Sequence, residues 1–525
     1  MSSRSLYRKN PLAKLGLMLV LFLVRAVCLN AQTGDAGAQG APDDAGQAQN
    51  GDSQSGAVPA ATGLDMTTEL SENPPLTGLD EPKFERAVIE HSYVVPRAEL
   101  SQSVDSNFPG FLTGNNVSAV TRAVGSVDLQ KLWKVHPFDL NYTGGLAAFQ
   151  NGRNSQVFLL QTLSATQRFL WRTGQLALRD SFTYLPEGTF GYGAFGGAGG
   201  FSVGAGAGGL GGGGGSGGLV GGLGSPGFTS TLFGSVGVQP RIANMANVDV
   251  TQYLTPRSSI VLAAGYGVTD FLGKPEASSL CGLGLCYLNS NQTVAQAGYN
   301  YQFSHRDQIA VSYAYQEFHF PGITAGSIKA DVWQVLYGHR ISGKLDFRVG
   351  GGPELVNTHE IELFTLLPGV IVPLEVGGKF LTASAQVQLA YRISPRTRFS
   401  VGYLHFVNAG SGIFGGANTN AVHFGLNHTL NRTWNMLLTT GYSRNSRLLM
   451  ANATVAGNAT TYHFGYVSGA LRRQLGRELG LFISYQYSNF AFGSGYCATA
   501  RCPNSYGRQV ALIGIDWKPR PLRLD

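Results

Sequence analysis

LTASAQVQLAYRISPRTRFSVGYLHF, the stretch from Leu381 to Phe406, changes between apolar and polar residues at almost every step on either side of its SPRT turn. A period of two predicts two extended strands, each with one apolar and one polar face. In a soluble sheet the apolar face packs on a core. In a membrane barrel it meets lipid, and the polar face lines a lumen. This hairpin alone leaves both assignments open.

Charge is scarce in this chain. Only 13% of its residues are charged, whereas about 25% is ordinary for a soluble domain. Beyond the N-terminus no run of about 18 apolar residues occurs, so we expect no transmembrane helices. Low charge without spanning helices favours a barrel, whose strands are short and half polar. The net charge of +7 is concentrated in the N-terminal segment, so it predicts no nucleic-acid partner.

The same alternation recurs along the chain from about His91 onward. Segments that carry it include YVVPRAELSQSVD, FDLNYTGGL, QAGYNYQFSHRDQIAVSYAY, KLDFRVG, WNMLLTTGYS and LGLFISYQYS. Most of them are about ten residues long, which is enough for a tilted membrane strand. The chain therefore predicts one long series of amphipathic strands.

The connections between these strands alternate in length. Short polar turns such as TPRSS, SHRD, ISGK and SPRT alternate with longer, variable loops. Outer-membrane barrels have short turns on one side and long loops on the other, and this chain fits one of about 18 strands. If the first two candidate strands belong to a tail, about 16 remain, which is also an even number.

Aromatic residues decide which face meets lipid. They cluster near strand ends on the apolar face, as two interfacial girdles require: Tyr301, Phe303, Tyr313, Tyr315, Tyr391, Phe399, Trp434, Tyr442, Tyr485, Tyr487 and Trp517. The predicted fold is therefore all-β. It is a transmembrane antiparallel β-barrel with short periplasmic turns and long extracellular loops, occupying residues 91–525.

From about His91 to Lys518 the chain resembles the porin-like outer-membrane β-barrels of Gram-negative bacteria. The resemblance implies a location in outer-membrane lipid, insertion by the barrel-assembly machinery, and passage of small polar solutes or a polymer. It leaves the solute and the oligomeric state open. Such barrels usually end on an aromatic residue, but here KPRPLRLD follows Trp517, which places that assembly signal inside the chain.

Residues 1–31 are expected to form a signal peptide, because a basic segment precedes the apolar run LGLMLVLFLV and a cleavage site at Ala31. Residues 32–90 are rich in Ala, Gly, Gln, Asp and Pro and are poor in aromatic residues. Such a composition cannot bury enough apolar surface to fold alone. We expect a disordered periplasmic tail there.

Four cysteines beyond the signal form two pairs of equal spacing, CGLGLC and CATARC. An even number in an exported chain indicates disulfides, and the spacing does not favour zinc. We expect Cys281 to pair with Cys286 and Cys497 with Cys502, with a pairing between the two loops as the alternative.

The Gly-rich stretch 188–227 holds 22 of the 72 glycines and no charged residue. No Lys-Ser or Lys-Thr follows its glycines, so neither a phosphate-binding loop nor a dinucleotide fingerprint is present. It is the third long loop. In many general porins that loop narrows the pore, so the resemblance implies a constriction or plug. A surface loop is the alternative.

Charged residues on the polar faces are the candidate lumen-lining residues. They are Arg97, Glu99, Asp105, Asp139, Arg168, Arg179, Asp249, Lys344, Asp346, Arg348, Arg392, Arg398, Arg508 and Asp516. Mixed signs suit a water-filled pore more than a single-ion filter. The alternative is that many form structural ladders between strands. Asp180 falls on an apolar face, which predicts a bulge or a register error at that point.

Three functions fit this pattern. The first is a passive channel, the second is a surface-binding or structural protein anchored by its barrel, and the third is a barrel hydrolase. An enzyme is not expected. The histidines lack metal-ligand spacing, and the pairing of His423 with His463 beside Ser484 and Gln486 matches no motif. No cofactor is expected.

Overall fold

The computed structural model describes residues 92–106, 117–133, 136–151, 154–185, 241–272, 289–321, 326–367, 370–408, 414–448, 460–493 and 505–524. The predicted signal peptide, the predicted tail, the Gly-rich stretch 188–227 and the four cysteines predicted to pair lie outside these ranges. Within the described residues, no helix is long and apolar enough to cross a membrane.

Over the described stretches of the chain, eighteen long strands and one short strand form a single antiparallel sheet. The strands are β1 Tyr93–Ser106, β2 Val117–Lys131, β3 Phe138–Asn151, β4 Asn154–Trp171, β5 Gly174–Leu185, β6 Arg241–Thr255, β7 Ser258–Phe271, β8 Ser290–Gln302, β9 Asp307–Phe320, β10 Gly326–Ser342, β11 Leu345–Leu367, β12 Val370–Ser394, β13 Thr397–Asn408, β14 Ala417–Thr429, β15 Trp434–Arg447, β16 Thr461–Gln474, β17 Leu479–Phe492, β18 Ser505–Trp517 and β19 Leu522–Arg523. Each long strand pairs with the next, and β18 pairs with β1. The predicted closed barrel of 18 strands is confirmed.

Tight turns gather at one end of the barrel. Two residues separate β4 from β5, β6 from β7, β10 from β11 and β12 from β13. At the other end most gaps between strands are longer, so the predicted alternation of short periplasmic turns with longer extracellular loops is confirmed. The exceptions at the loop end are β3–β4 and β11–β12, each joined by two residues. The β11–β12 pair is also the longest, at 23 and 25 residues.

The apolar face of each strand points outward. Leu381 is 71% exposed to the exterior and Leu100 is 59% exposed, while their inward neighbours Ser384 and Ser101 are buried. Exposed aromatic residues lie near the turn end, namely Trp171, Tyr301, Phe303, Tyr391 and Trp517, and a second group lies toward the loops, namely Tyr266, Tyr313, Tyr442 and Tyr487. An apolar band between aromatic girdles is the lipid-contacting surface of an outer-membrane barrel.

The residues after Trp517 belong to the barrel wall. The backbone N–H of Lys518 donates to the carbonyl of Glu478, and β19 pairs with the start of β1, placing Leu522 opposite Val94. The short C-terminal extension therefore adds to the seam where the barrel closes.

Asp180 sits on the outer face without any bulge. Its register is regular on both sides, opposite Ala165 and Ala246. The predicted bulge or register error was therefore wrong. The side-chain amide of Asn244, on the same outer face, donates to its carboxylate at 3.0 Å, so a polar neighbour satisfies the charge in place of a backbone rearrangement.

One seam of the barrel opens toward the extracellular end. The ladder between β12 and β13 stops at Ala385–His405. Beyond it, β13 and β14 stay paired as far as Asn408–Ala417, while β12 stays paired only with β11. Above His405, the described residues of β12 and β13 therefore share no ladder of backbone hydrogen bonds.

Candidate functional site

The interior wall of the barrel is polar over most of its height. Because side chains alternate between faces, the inward positions carry many buried Ser, Thr, Gln, Asn and charged residues. Gln334 donates to Ser384 at 2.7 Å, Asn300 to Ser259 at 3.3 Å, and Thr439 lies 2.7 Å from Ser468. These hydrogen bonds cross between strands and stabilise the wall from within.

Arginine–aspartate pairs join neighbouring strands on one half of the wall. Arg97 of β1 meets Asp128 of β2 at 2.5 Å, and Arg168 of β4 meets Asp139 of β3 at 3.5 Å. Arg179 likewise pairs with Asp249, and Arg508 with Asp105. Seven of the predicted lumen-facing charges are thus members of structural ladders: Arg97, Asp105, Asp139, Arg168, Arg179, Asp249 and Arg508.

Exposure of these pairs falls from the turn end to the loop end. Near the turns, the side chains of Arg168 and Asp139 are 30% and 16% exposed. Toward the loops, Arg508 and Asp105 are each 1% exposed, with Arg508 Nε 2.9 Å from Asp105 Oδ1. Among these ion pairs, solvent exposure is therefore greater near the turn end than toward the loop end.

A further ion pair, close to the turn end, joins two strands that are separated by a third. Arg472 of β16 reaches Asp516 of β18 at 2.5 Å, crossing β17 at Gly480. A Cβ at Gly480 would lie 2.3 Å from Asp516 Oδ1, so only glycine leaves room for this contact. Glu99 of β1 is the register partner of Asp516, which places its predicted lumen-facing carboxylate beside this pair.

The wall formed by β10–β13 carries more inward positive charge than the wall with the arginine–aspartate pairs. Arg340 Nε donates to Asp346 Oδ1 at 3.0 Å. Arg392 of β12 and Arg398 of β13 are direct register partners on the inward face. Within the described ranges neither of these two guanidinium groups has an acidic partner.

Two other predicted residues of this wall fall in different places. Arg348 lies on the inward register of β11, opposite Gln388 of β12. Lys344 lies instead in the two-residue turn between β10 and β11. It is exposed there, and its backbone N–H donates to Ser342 Oγ at 3.3 Å.

Several inward charges were missing from the sequence-based set. Arg122 is buried and donates to Ser103 at 3.3 Å, and Arg340 and Arg472 hold the ion pairs described above. Alternation along β2, β10 and β16 is the signal that would have found them, since each lies two or four residues from another inward side chain.

His423 and His463, which the sequence placed on nearby strands, do not meet in the structure. His423 faces inward, its ring over Gly402, where a Cβ would lie 1.9 Å from the ring. His463 faces outward and lies 2.7 Å from the hydroxyl of Tyr442. The two imidazoles are therefore on opposite faces of the wall. In the part of the chain that the structure describes, no group of three or more metal-ligating side chains is found.

No family model matches the chain, and no curated protein matches it. Among solved structures, the ferric-catecholate import receptor Fiu of E. coli is 8% identical, with 82% of each chain covered and a TM-score of 0.41. OccK2 of Pseudomonas aeruginosa is 9% identical over 81% of this chain and 98% of its own, with a TM-score of 0.37. The outer membrane protein OpdK of the same organism is 10% identical over 81% and 98%, with a TM-score of 0.35. The closed register and the outward apolar band of this chain are themselves those of an outer-membrane β-barrel.

Proposed function

We propose that this protein is a passive outer-membrane channel for small polar solutes and that it favours anions. The observation that carries the proposal is the inward pair of Arg392 and Arg398, which meet each other in register without an acidic partner among the described residues. A cation held on a polar inner wall attracts anions from solution.

Barrel size and exposure support the same function. Barrels of about 16 to 18 strands usually leave an aqueous channel inside. The inward charges near the turns are partly exposed, for example Arg340 at 24% and Asp346 at 21%. Water at these positions would solvate a passing ion, and the ladder of paired charges on the facing wall would leave the net field there weak.

A second candidate is a barrel-anchored surface-binding protein. The β11–β12 hairpin favours it, because its ladder continues to Leu367–Val370, far past the point where β12 leaves β13 at Ala385. A projecting hairpin offers area for a partner outside the cell. This candidate predicts a folded barrel that passes no solute.

The same proposal includes the export signal, the tail, the insertion of the barrel and two features of its loops. Residues 1–31 direct export, residues 32–90 form a periplasmic tail, and the barrel-assembly machinery inserts residues 91–525. Cys281–Cys286 and Cys497–Cys502 close two small extracellular rings, and the Gly-rich stretch 188–227 narrows the channel from above.

Liposome swelling tests the proposed transport. Vesicles containing the folded protein are diluted into isotonic arabinose, potassium gluconate or lysine hydrochloride. We expect swelling in arabinose. Swelling should be faster in potassium gluconate than in arabinose, and slower in lysine hydrochloride. Swelling no faster than in protein-free vesicles, in a sample shown to be folded, would contradict transport and leave the surface-binding candidate.

A further inference from the structure

Val407 breaks the rule that separates the two faces of the barrel. On β13 the inward residues are Gly402, Leu404 and Phe406, so Val407 belongs to the outward set by alternation. It is nevertheless 0% exposed and lies in one apolar cluster with Ile328 and Val356, which are inward residues of β10 and β11. The outer face of β13 thus packs against the inner face of the wall at this height.

The first residues of β14 also contact the inner face of the wall. Asn418, the register partner of Val407, donates to Thr382 on the inner face of β12 at 3.5 Å. Glu354 of β11 accepts a hydrogen bond from the backbone N–H of Val407. The paired ends of β13 and β14, residues 406–408 and 414–419, therefore lie inside the barrel against β10–β12. We call these residues the inner flap.

Gly416 sets how closely the inner flap approaches the wall. Its φ of 77° lies in the left-handed region that favours glycine. A Cβ built on it would stand 1.9 Å from Cδ1 of Ile328, and Ile328 is fully buried. Any side chain at this position would separate the flap from β10.

The opposite side of the inner flap contacts β15 and β16, the strands that follow β14 around the barrel. The ring of Phe414 lies 5.0 Å from that of Tyr462 on β16, and Tyr462 stacks on Phe490 of β17 at 4.8 Å. Thr419 donates to Asn445 of β15 at 2.6 Å. Phe414 and Gly416 together thus link the inner faces of β16 and β10, and all of these contacts are buried.

This link between β16 and β10 is apolar at its centre and weakly attached on one side. Hydrophobic constrictions stop ion flow by excluding water. Toward β10–β12 the flap has lost the strand ladder, since β12 and β13 share no register above Ala385–His405. Side-chain packing and the hydrogen bonds to Glu354 and Thr382 attach the flap to this wall instead. An element held in this way can part from the wall without breaking the barrel's backbone pairing.

We propose that the inner flap is the gate of this channel, closing the extracellular mouth when Val407 and Gly416 rest on β10 and β11 and opening it when they part. This inference rests on the proposed function, because a gate requires a conducting barrel. It assigns closure to the inner flap, which is a different element from the Gly-rich stretch 188–227 that the resemblance implied as a constriction or plug.

The test is to tie the flap to the wall. Thr382→Cys with Asn418→Cys joins it to β12 when oxidised. The matched control, Asn408→Cys with Thr419→Cys, places a crosslink inside the flap, where these side chains lie 2.6 Å apart. A third variant, Gly416→Val, wedges the flap away from Ile328. Single-channel current is recorded for each variant and for the parent chain, before and after dithiothreitol, with heat-modifiable migration confirming the folded barrel.

We expect the oxidised wall crosslink to abolish the open level and dithiothreitol to restore it, while the flap-internal crosslink behaves as the parent. Gly416→Val is expected to remain open. If mass spectrometry confirms the crosslink between the cysteines introduced at positions 382 and 418 but the openings are unchanged, the proposed gate is wrong. The proposed channel function would not be affected by that result. If neither the parent nor Gly416→Val conducts although both are folded, the proposed channel function fails, and the gate with it.

Discussion

Arg392 and Arg398 are direct partners across the β12–β13 ladder, and both face into the barrel. Like charges placed directly opposite each other destabilise a sheet. On the facing wall, by contrast, each of the ladder arginines meets an aspartate, as Arg97 meets Asp128. A wall built for stability alone would place a carboxylate beside this pair. The local excess of positive charge therefore points to a ligand in solution, and we interpret it as the anion-attracting part of the channel.

Reversing one of these charges should change ion selectivity. A change of two charge units alters the free energy of an ion passing about 8 Å away by about 1 kcal/mol in water. We therefore expect Arg392→Glu to lower the chloride-to-potassium permeability ratio about fivefold, as read from reversal potentials. Lys344→Glu makes the same change of charge in the exposed turn and should have little effect. Equal shifts in both variants would argue against a site at Arg392.

The buried pair of Arg508 and Asp105 should be sensitive to loss of one member. Each side chain is 1% exposed, and removing one partner of such a pair typically costs about 3–5 kcal/mol because a charge is left uncompensated. Asp105→Ala should lower unfolding stability in urea by this amount. Asp139→Ala, in the more exposed pair with Arg168, should cost about 0–1 kcal/mol. Similar losses in the two variants would contradict the exposure gradient.

Neighbouring positions on β12 test which face meets lipid. Val387 points outward and Gln388 inward. Val387→Arg should destabilise the inserted barrel by about 2–4 kcal/mol if it lies near the bilayer midplane. Gln388→Arg faces the polar interior and should cost much less. The free energy of folding into lipid vesicles is the measurement, and a greater loss for Gln388→Arg would mean that the faces are reversed.

Peptide mapping tests the predicted disulfides. We expect non-reducing digests to contain linked peptides for Cys281–Cys286 and for Cys497–Cys502. Each ring is small, so reduction should loosen its loop more than it destabilises the barrel. Free thiols in the exported protein, or a bond joining the two loops, would replace this assignment.

Alternation predicts the lipid face and the strand count because it depends only on side-chain period and connection length. It cannot supply contacts that arise when the barrel closes. Arg508 and Asp105 are 403 residues apart, and their pairing depends on the register between β18 and β1. Alternation also fails at Val407, which would face outward, because the open seam above His405 lets β13 bend inward. That bend follows from packing against β10 and β11, which a single strand's pattern does not encode.

The account is tested most directly by the reversal potential of the unmodified protein in a planar bilayer between two potassium chloride concentrations. The sample must first migrate faster unboiled than boiled, as a folded barrel does. We predict discrete openings whose reversal potential is shifted from zero toward the equilibrium potential of chloride. Cation-selective openings would contradict the role of Arg392 and Arg398, and a folded protein that carries no current even as Gly416→Val would contradict the channel itself.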